Sequence, residues 1–155
     1  MAVNPFIENV RNKAKKVNKN VIFPDGADKR SIEASIFLLK EKIAVPALVG
    51  NKNDIEKTAK ENSLNISDIS VFDPKESELI EEFAKILFEK RKHKGLTIDE
   101  ATETVKDPLY FAGLMLETGR TDVVVGGNVS STGNVMRAAI HTVGVAEGVS
   151  IVSSF

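Results

Sequence analysis

Cysteine is absent from the 155-residue chain, which removes disulfides, a thiolate nucleophile and any cysteine-built metal site. Histidine is scarce. His93 and His141 stand far apart, with no carboxylate at ligand spacing, so no metal centre is expected. No apolar run approaches the roughly 20 residues that a membrane span needs. Residues 1–20 carry lysines but lack the apolar segment of a secretory leader. Nor does one sign of charge prevail: 21 basic against 22 acidic side chains leave a net charge of −1, with no general pull toward nucleic acid or an anionic membrane. What is present is ordinary for a globular protein, 42% apolar and 28% charged residues. The length suits one domain with a real core. A cysteine-free composition fits the cytoplasm.

The apolar pattern changes period along the chain. Phe6, Ile7, Val10, Ala14 and Val17 share one face of an amphipathic helix. Val21–Phe23 is a short strand stopped by Pro24, Asp25 and Gly26. Ile32, Ile36, Leu39 and Ile43 then recur at helical spacing. "AVPALVG" predicts a second strand, whose Pro46 suggests an edge or a strand start. "NDIEKTAKENSL" predicts a helix and "ISVFDP" a third strand. Between Ser77 and His93 an apolar stripe of Leu79, Ile80, Phe83, Ala84, Ile86 and Leu87 predicts a helix, stopped by basic residues and Gly95. Thr97 and Glu100 form a capping box that opens another helix. In "DPLYFAGLMLETG", Pro108 suits a first helical turn and Gly119 a stop. "TDVVVGG" predicts a fourth strand, and "SIVSSF" a fifth on which the chain ends. Strands alternating with helices imply an α/β fold: three layers, α/β/α, around a mainly parallel sheet. An ending on an apolar strand suggests an incomplete domain, with Ile151 to Phe155 as an exposed edge prone to self-association.

The segment "VVVGGNVSSTGNVMRAA", Val123 to Ala139, concentrates the chemistry. In open α/β sheets ligands collect at the carboxyl ends of strands. Here glycines allow close backbone approach, Ser130, Ser131 and Thr132 offer hydroxyls, and a helix over Asn134 to Ile140 adds its positive end. Arg137, about one turn in, suits a phosphate. The segment is neither a P-loop nor G-x-G-x-x-G. It also reads as an ordinary strand-to-helix turn with an N-cap, so the residues alone leave both readings open. Arg91 is most simply a solvated helix end. Arg30 is poorly placed for the helix dipole, which hints at a bound anion. Asp25, Asp28 and Asp122 lie near strand ends, where general bases or simple turn and cap residues occur.

The blocks "FPDGADKRSIEA", "EKRKHKGLTIDEA", "DPLYFAGLMLETGRTDVVVGG" and "SSTGNVMRAA…GVSIVSSF" resemble, in that order, the N-terminal part of the phosphate acetyltransferase family from about Val21 to Phe155. The resemblance implies an isocitrate-dehydrogenase-like fold. Residues 1–155 would be an N-terminal α/β domain, an incomplete first domain of a longer, two-domain enzyme. It implies acetyl transfer between acetyl phosphate and coenzyme A, with phosphate as co-product, no cofactor beyond CoA as substrate, and a cytoplasmic homo-oligomer. Arg91 and Arg137 fall on family active-site arginines. Ser131 and Thr132, beside Ser130, fall on a pair lining the acyl phosphate site, and Arg30 falls on an arginine associated with the CoA 3′-phosphate. The family's remaining catalytic serine, arginine and aspartate lie in its C-terminal part, so this chain alone is expected to be inactive. Gly126 stands where a serine is common, and Ala138 where a proline is. A phosphate butyryltransferase, a CoA-binding regulatory domain and a Rossmann-like nucleotide binder are the alternatives, the last without its glycine fingerprint.

Overall fold

The computed structural model describes residues 4–149. The fifth strand and apolar edge expected over 150–155 lie outside the described residues. In chain order the elements are α1 (Pro5–Val17), β1 (Asn20–Phe23), α2 (Lys29–Lys40), β2 (Val45–Val49), α3 (Lys52–Glu61), β3 (Ser70–Phe72), α4 (Ile80–Arg91), α5 (Ile98–Thr104), α6 (Pro108–Glu117), β4 (Val123–Val124) and α7 (Thr132–Thr142). Short 3₁₀ turns at Pro74–Glu76 and Lys92–Lys94 flank α4, so the helix foreseen from Ser77 to His93 is trimmed at both ends. The strands are parallel in the order β3-β2-β1-β4.

Alternate residues of the central strands feed two cores, one on each face of the sheet. Ile22 and Val49 pack with Phe83, Leu87, Phe111 and Leu114 from α4 and α6. Phe23 and Leu48 pack with Ile32 of α2 and with Ile55 and Ala59 of α3. Helices therefore cover both faces, as the three-layer reading requires. The Phe83 and Phe111 rings meet edge to face, 5.1 Å between centroids, and burying such a side chain is worth roughly 1.5–3 kcal/mol.

Local signals are realised closely. Thr97 and Glu100 complete a reciprocal capping box. Gly119 takes a left-handed conformation at φ 71°, with the Arg120 N–H returning to the Met115 carbonyl. Helix α2 stops sooner than the spacing of its apolar residues suggests. Lys42 turns left-handed at φ 54°, and the Ile43 N–H returns to the Leu38 carbonyl, so Ile43 is buried from beyond the helix.

Two elements show what the pattern left open. Pro46 begins a strand, but not an edge strand, because β2 lies between β1 and β3. The Val45 N–H donates to the Lys19 carbonyl on the β1 side. The next residue faces β3, whose pairing starts only at Ala47 with Ser70, so the donor Pro46 lacks is not needed. Helix α1 buries none of its residues, and Phe6 is 72% exposed. It meets the body through Arg11, stacked over the Phe37 ring at 5.0 Å, and through Lys15 near Glu41.

Candidate functional site

Strands β1 and β4 pair in register, Val21 with Val123 and Ile22 with Val124. Their carboxyl ends therefore lie side by side, and the Pro-Asp-Gly turn after β1 meets the glycine–serine loop after β4. Asp25 enters that loop. Its Oδ2 accepts hydrogen bonds from the backbone N–H groups of Gly127 (2.8 Å), Asn128 (2.8 Å) and Val129 (3.4 Å). Its Oδ1 accepts from the Ser130 N–H (3.2 Å) and hydroxyl (2.6 Å). Gly127, at φ 110°, supplies the left-handed step that turns successive N–H groups inward. Burial raises the Asp25 pKa, but the Ser130 hydroxyl and the three backbone donors outweigh it, so the carboxyl sits below its usual value.

The loop is thus built for an anion, as its composition suggests, but the anion is the chain's own carboxylate. The Ser130 hydroxyl is committed to Asp25 rather than free for a ligand. Ser131 is the N-cap of α7, its hydroxyl oxygen accepting from the Asn134 N–H at 3.3 Å. Thr132 opens α7 and is exposed. Arg30 also finds its anion within the chain. Its Nε is 2.9 Å and its Nη2 3.2 Å from the Asp28 carboxylate, while Nη2 donates to the Asn128 carbonyl at 2.7 Å. Asp28 caps α2 and Asp25 holds the loop. Asp122 accepts from Lys19 and from the Asn20 N–H at the opposite ends of these strands.

Arg91 and Arg137 differ. Among the described residues neither has a carboxylate partner, whereas Arg30 pairs with Asp28 and Arg120 with Glu82. Arg91 ends α4 and Arg137 lies on α7, and both act electrostatically on the same two groups, Tyr110 of α6 and His141 of α7. Tyr110 Oη lies 3.0 Å from His141 Nδ1. Burial raises the Tyr110 pKa, with Arg137 and Arg91 opposing. Burial, then Arg91 and Arg137, lowers that of His141. Helices α6 and α7 approach closely enough for this because residue 113 is glycine: a Cβ there would lie 2.3 Å from Thr142 Oγ1. Gly126 is also tight, since a Cβ would lie 3.0 Å from Pro24 Cγ; a serine there needs Pro24 to give way.

Sequence reading missed three participants: the role of Asp25 as the loop's internal anion, Tyr110, and the pairing of His141 with it. The Pro-Asp-Gly turn was a signal for the first. For the other two only the aromatic in "DPLYF" pointed anywhere. Among the described residues no group of three or more His, Asp or Glu is placed to hold a metal ion.

Known proteins share this sequence pattern and fold. The family model described as phosphate acetyl/butaryl transferase matches residues 5–155. The phosphate acetyltransferase of Clostridium acetobutylicum is 40% identical over 150 residues, covering 97% of this chain and 45% of the relative. That of Acetivibrio thermocellus is 37% identical with the same coverage. The chain thus spans somewhat under half the length of these relatives. Among solved structures, EutD phosphotransacetylase from Staphylococcus aureus superposes with a TM-score of 0.85 at 28% identity, over 94% of this chain and 45% of that one. A phosphotransacetylase from Streptococcus pyogenes shares the fold, with a TM-score of 0.83 at 24% identity over 92% of this chain and 43% of that one. With a family model spanning nearly every residue and relatives aligned from end to end of the chain, this protein belongs to the phosphate acetyl/butaryl transferase family.

Proposed function

We propose that this chain supplies the N-terminal, anion-binding part of an acetyltransferase site that interconverts acetyl phosphate plus CoA with acetyl-CoA plus phosphate. The observation that carries this reading is the pair of arginines, Arg91 and Arg137, left without carboxylate partners around Tyr110 and His141. In the transfer, the CoA thiolate forms a bond to the acetyl carbonyl carbon, and the bond from that carbon to the phosphate oxygen breaks. The electron pair leaves with phosphate. Negative charge grows on the leaving oxygens, where two fixed guanidinium groups stabilise it. Thr132 and Ser131, at the start of α7, place hydroxyls near the helix's positive end. Arg30 is the group for the CoA 3′-phosphate, which would compete with Asp28 for its guanidinium. The base for the CoA thiol, whose ordinary pKa is about 8.5, belongs to the C-terminal half of the site. The setting is cytoplasmic, and the working form is a homo-oligomer completed by the second half of the family's length.

A transfer assay with acetyl phosphate and CoA tests this. The chain is assayed alone and fused to the C-terminal half of the C. acetobutylicum relative. Acetyl-CoA formation by the fusion and not by the chain alone is expected. A fusion that folds, binds CoA and makes no acetyl-CoA overturns the acetyltransferase reading in favour of a CoA-binding regulatory domain. Butyryl phosphate in parallel separates the two acyl specificities within the family.

A further inference from the structure

A cavity of about 390 Å³ opens among α4, α5, α6 and α7, with Arg91, Lys94, Tyr110 and His141 in its wall. One carboxylate lines it, that of Glu100, and this is already bonded to the Thr97 N–H at 2.8 Å and hydroxyl at 3.0 Å. Arg91 and Lys94 therefore face a concave space whose one acid, among the described residues, is engaged in capping α5. Tyr110 and His141 close the wall as a hydrogen-bonded pair, with ring centroids 5.9 Å apart.

We propose that Tyr110 and His141 belong to the anion site at Arg91, with His141 as its proton-dependent cation. The inference rests on the anion-binding role given above to Arg91 and Arg137, and it assigns two further binding groups. The chemistry follows from the 3.0 Å contact. A neutral imidazole carries one N–H, so with Nδ1 bare it accepts from the phenol and occupies that proton. A protonated imidazole donates from both nitrogens. Its Nδ1–H then donates to Oη, and the phenol proton is released to a ligand. One proton thus adds both a positive charge and a hydrogen-bond donor. The charged groups around the pair are Arg91 on α4, Lys94 in the 3₁₀ turn, Glu100 on α5, Asp107 capping α6 and Arg137 on α7, while Lys90 of α4 is paired with Glu117 of α6 at 2.6 Å. Burial first, then Arg91 and Arg137, keeps His141 below its ordinary value. The imidazole is therefore neutral at neutral pH. A bound dianion reverses that bias, so anion binding and His141 protonation favour one another by linkage.

The chain's two histidines make the test direct, because the imidazole proton resonances of His141 and the exposed His93 can be followed together in the intact chain. Sulfate is the probe, since it stays a dianion throughout the range, and ionic strength is held constant with chloride. Sulfate is expected to raise the His141 pKa, with the exposed His93 resonance followed as the internal reference. Its affinity should rise at least about 5-fold as pH falls through the window in which an imidazole titrates. His141→Gln should make the affinity independent of pH. Tyr110→Phe should weaken sulfate binding at acid pH while His141 still titrates. Identical sulfate affinities for wild type and His141→Gln at every pH overturn the inference and leave the arginine site standing. Sulfate that moves neither histidine and whose affinity is unchanged by Arg91→Ala or Arg137→Ala overturns both. The His141 titration is read in the wild-type chain, so a poorly folded variant does not hide the answer.

Discussion

Two regions around α7 treat charge in opposite ways. Before its N-terminus, four successive backbone N–H groups and the Ser130 hydroxyl of an anion-shaped loop are satisfied by Asp25, and the neighbouring Arg30 is held by Asp28 and the Asn128 carbonyl. Further along, Arg91 and Arg137 stand without a carboxylate among the described residues, near a tyrosine and a histidine whose titration they disturb. The contrast teaches that a glycine–serine loop shows where an anion fits, but not whose anion it is. A region that balances its own charge is scaffold. Cations left unbalanced around a hydrogen-bonded Tyr110–His141 pair are the stronger pointer to a ligand.

That contrast is broken most severely on its unbalanced side. In the fused form, Arg137→Ala or Arg91→Ala should lower the rate of acetyl transfer by about 10²–10³-fold, the usual cost of removing one donor from a developing anion. The folded state should survive, because neither side chain has a described internal partner to lose. Steady-state kinetics beside thermal unfolding checks both halves of the statement. A large fall in melting temperature with little change in rate would move the arginines to the scaffold.

Gly113→Ala attacks the same side through packing. The added methyl meets Thr142 Oγ1 at 2.3 Å, so α7 must shift off α6. A loss of up to about 3 kcal/mol is expected, measured by urea unfolding. The Tyr110–His141 contact should loosen with it, and the His141 resonance should then titrate closer to an ordinary imidazole.

On the balanced side, Asp25→Asn should cost about 2 kcal/mol, because the donors that converge on a carboxylate lose their charge-assisted partner. The sign of the pH dependence follows from the lowered pKa of Asp25. A carboxyl held below its unfolded value contributes stability that is present above that value and is lost as pH falls through the folded one. The gap in unfolding free energy between wild type and Asp25→Asn should thus be constant near neutral pH. It should narrow only below the ordinary aspartate value of 3.8. A gap that closes already between pH 7 and pH 5, in the imidazole range, would transfer the effect to a histidine.

Much of the fold was legible because its signals are local. The capping box at Thr97 and Glu100, Pro108 at the start of α6 and Gly119 at its end each act within one helical turn, and each appears as read. What was illegible depends on strand order. Asp25 reaches Gly127 and Ser130 across more than a hundred residues, and nothing in either segment states that β1 and β4 are neighbours. The same ignorance left Pro46 open between an edge and a strand start. Tyr110 and His141 carry no motif; they meet because Gly113 lets two helices touch. The apolar face of α1 was seen correctly as a stripe, but periodicity does not say what covers a stripe.

The smallest effect sharpens the comparison at its boundary. Arg30 is bonded within the chain, yet its side chain is 65% exposed, and exposed ion pairs contribute little to stability. Arg30→Ala should leave the melting temperature of the chain nearly unchanged. If Arg30 were only scaffold, the fused enzyme would also keep its affinity for CoA. If the guanidinium exchanges Asp28 for the CoA 3′-phosphate, the KM for CoA should rise while kcat holds, and 3′-dephospho-CoA should show no such rise. The Asp28 carboxylate, held below its usual value chiefly by the Arg30 side chain, then acts as a placeholder that the ligand displaces, which puts Arg30 on the side of the unbalanced cations once CoA arrives.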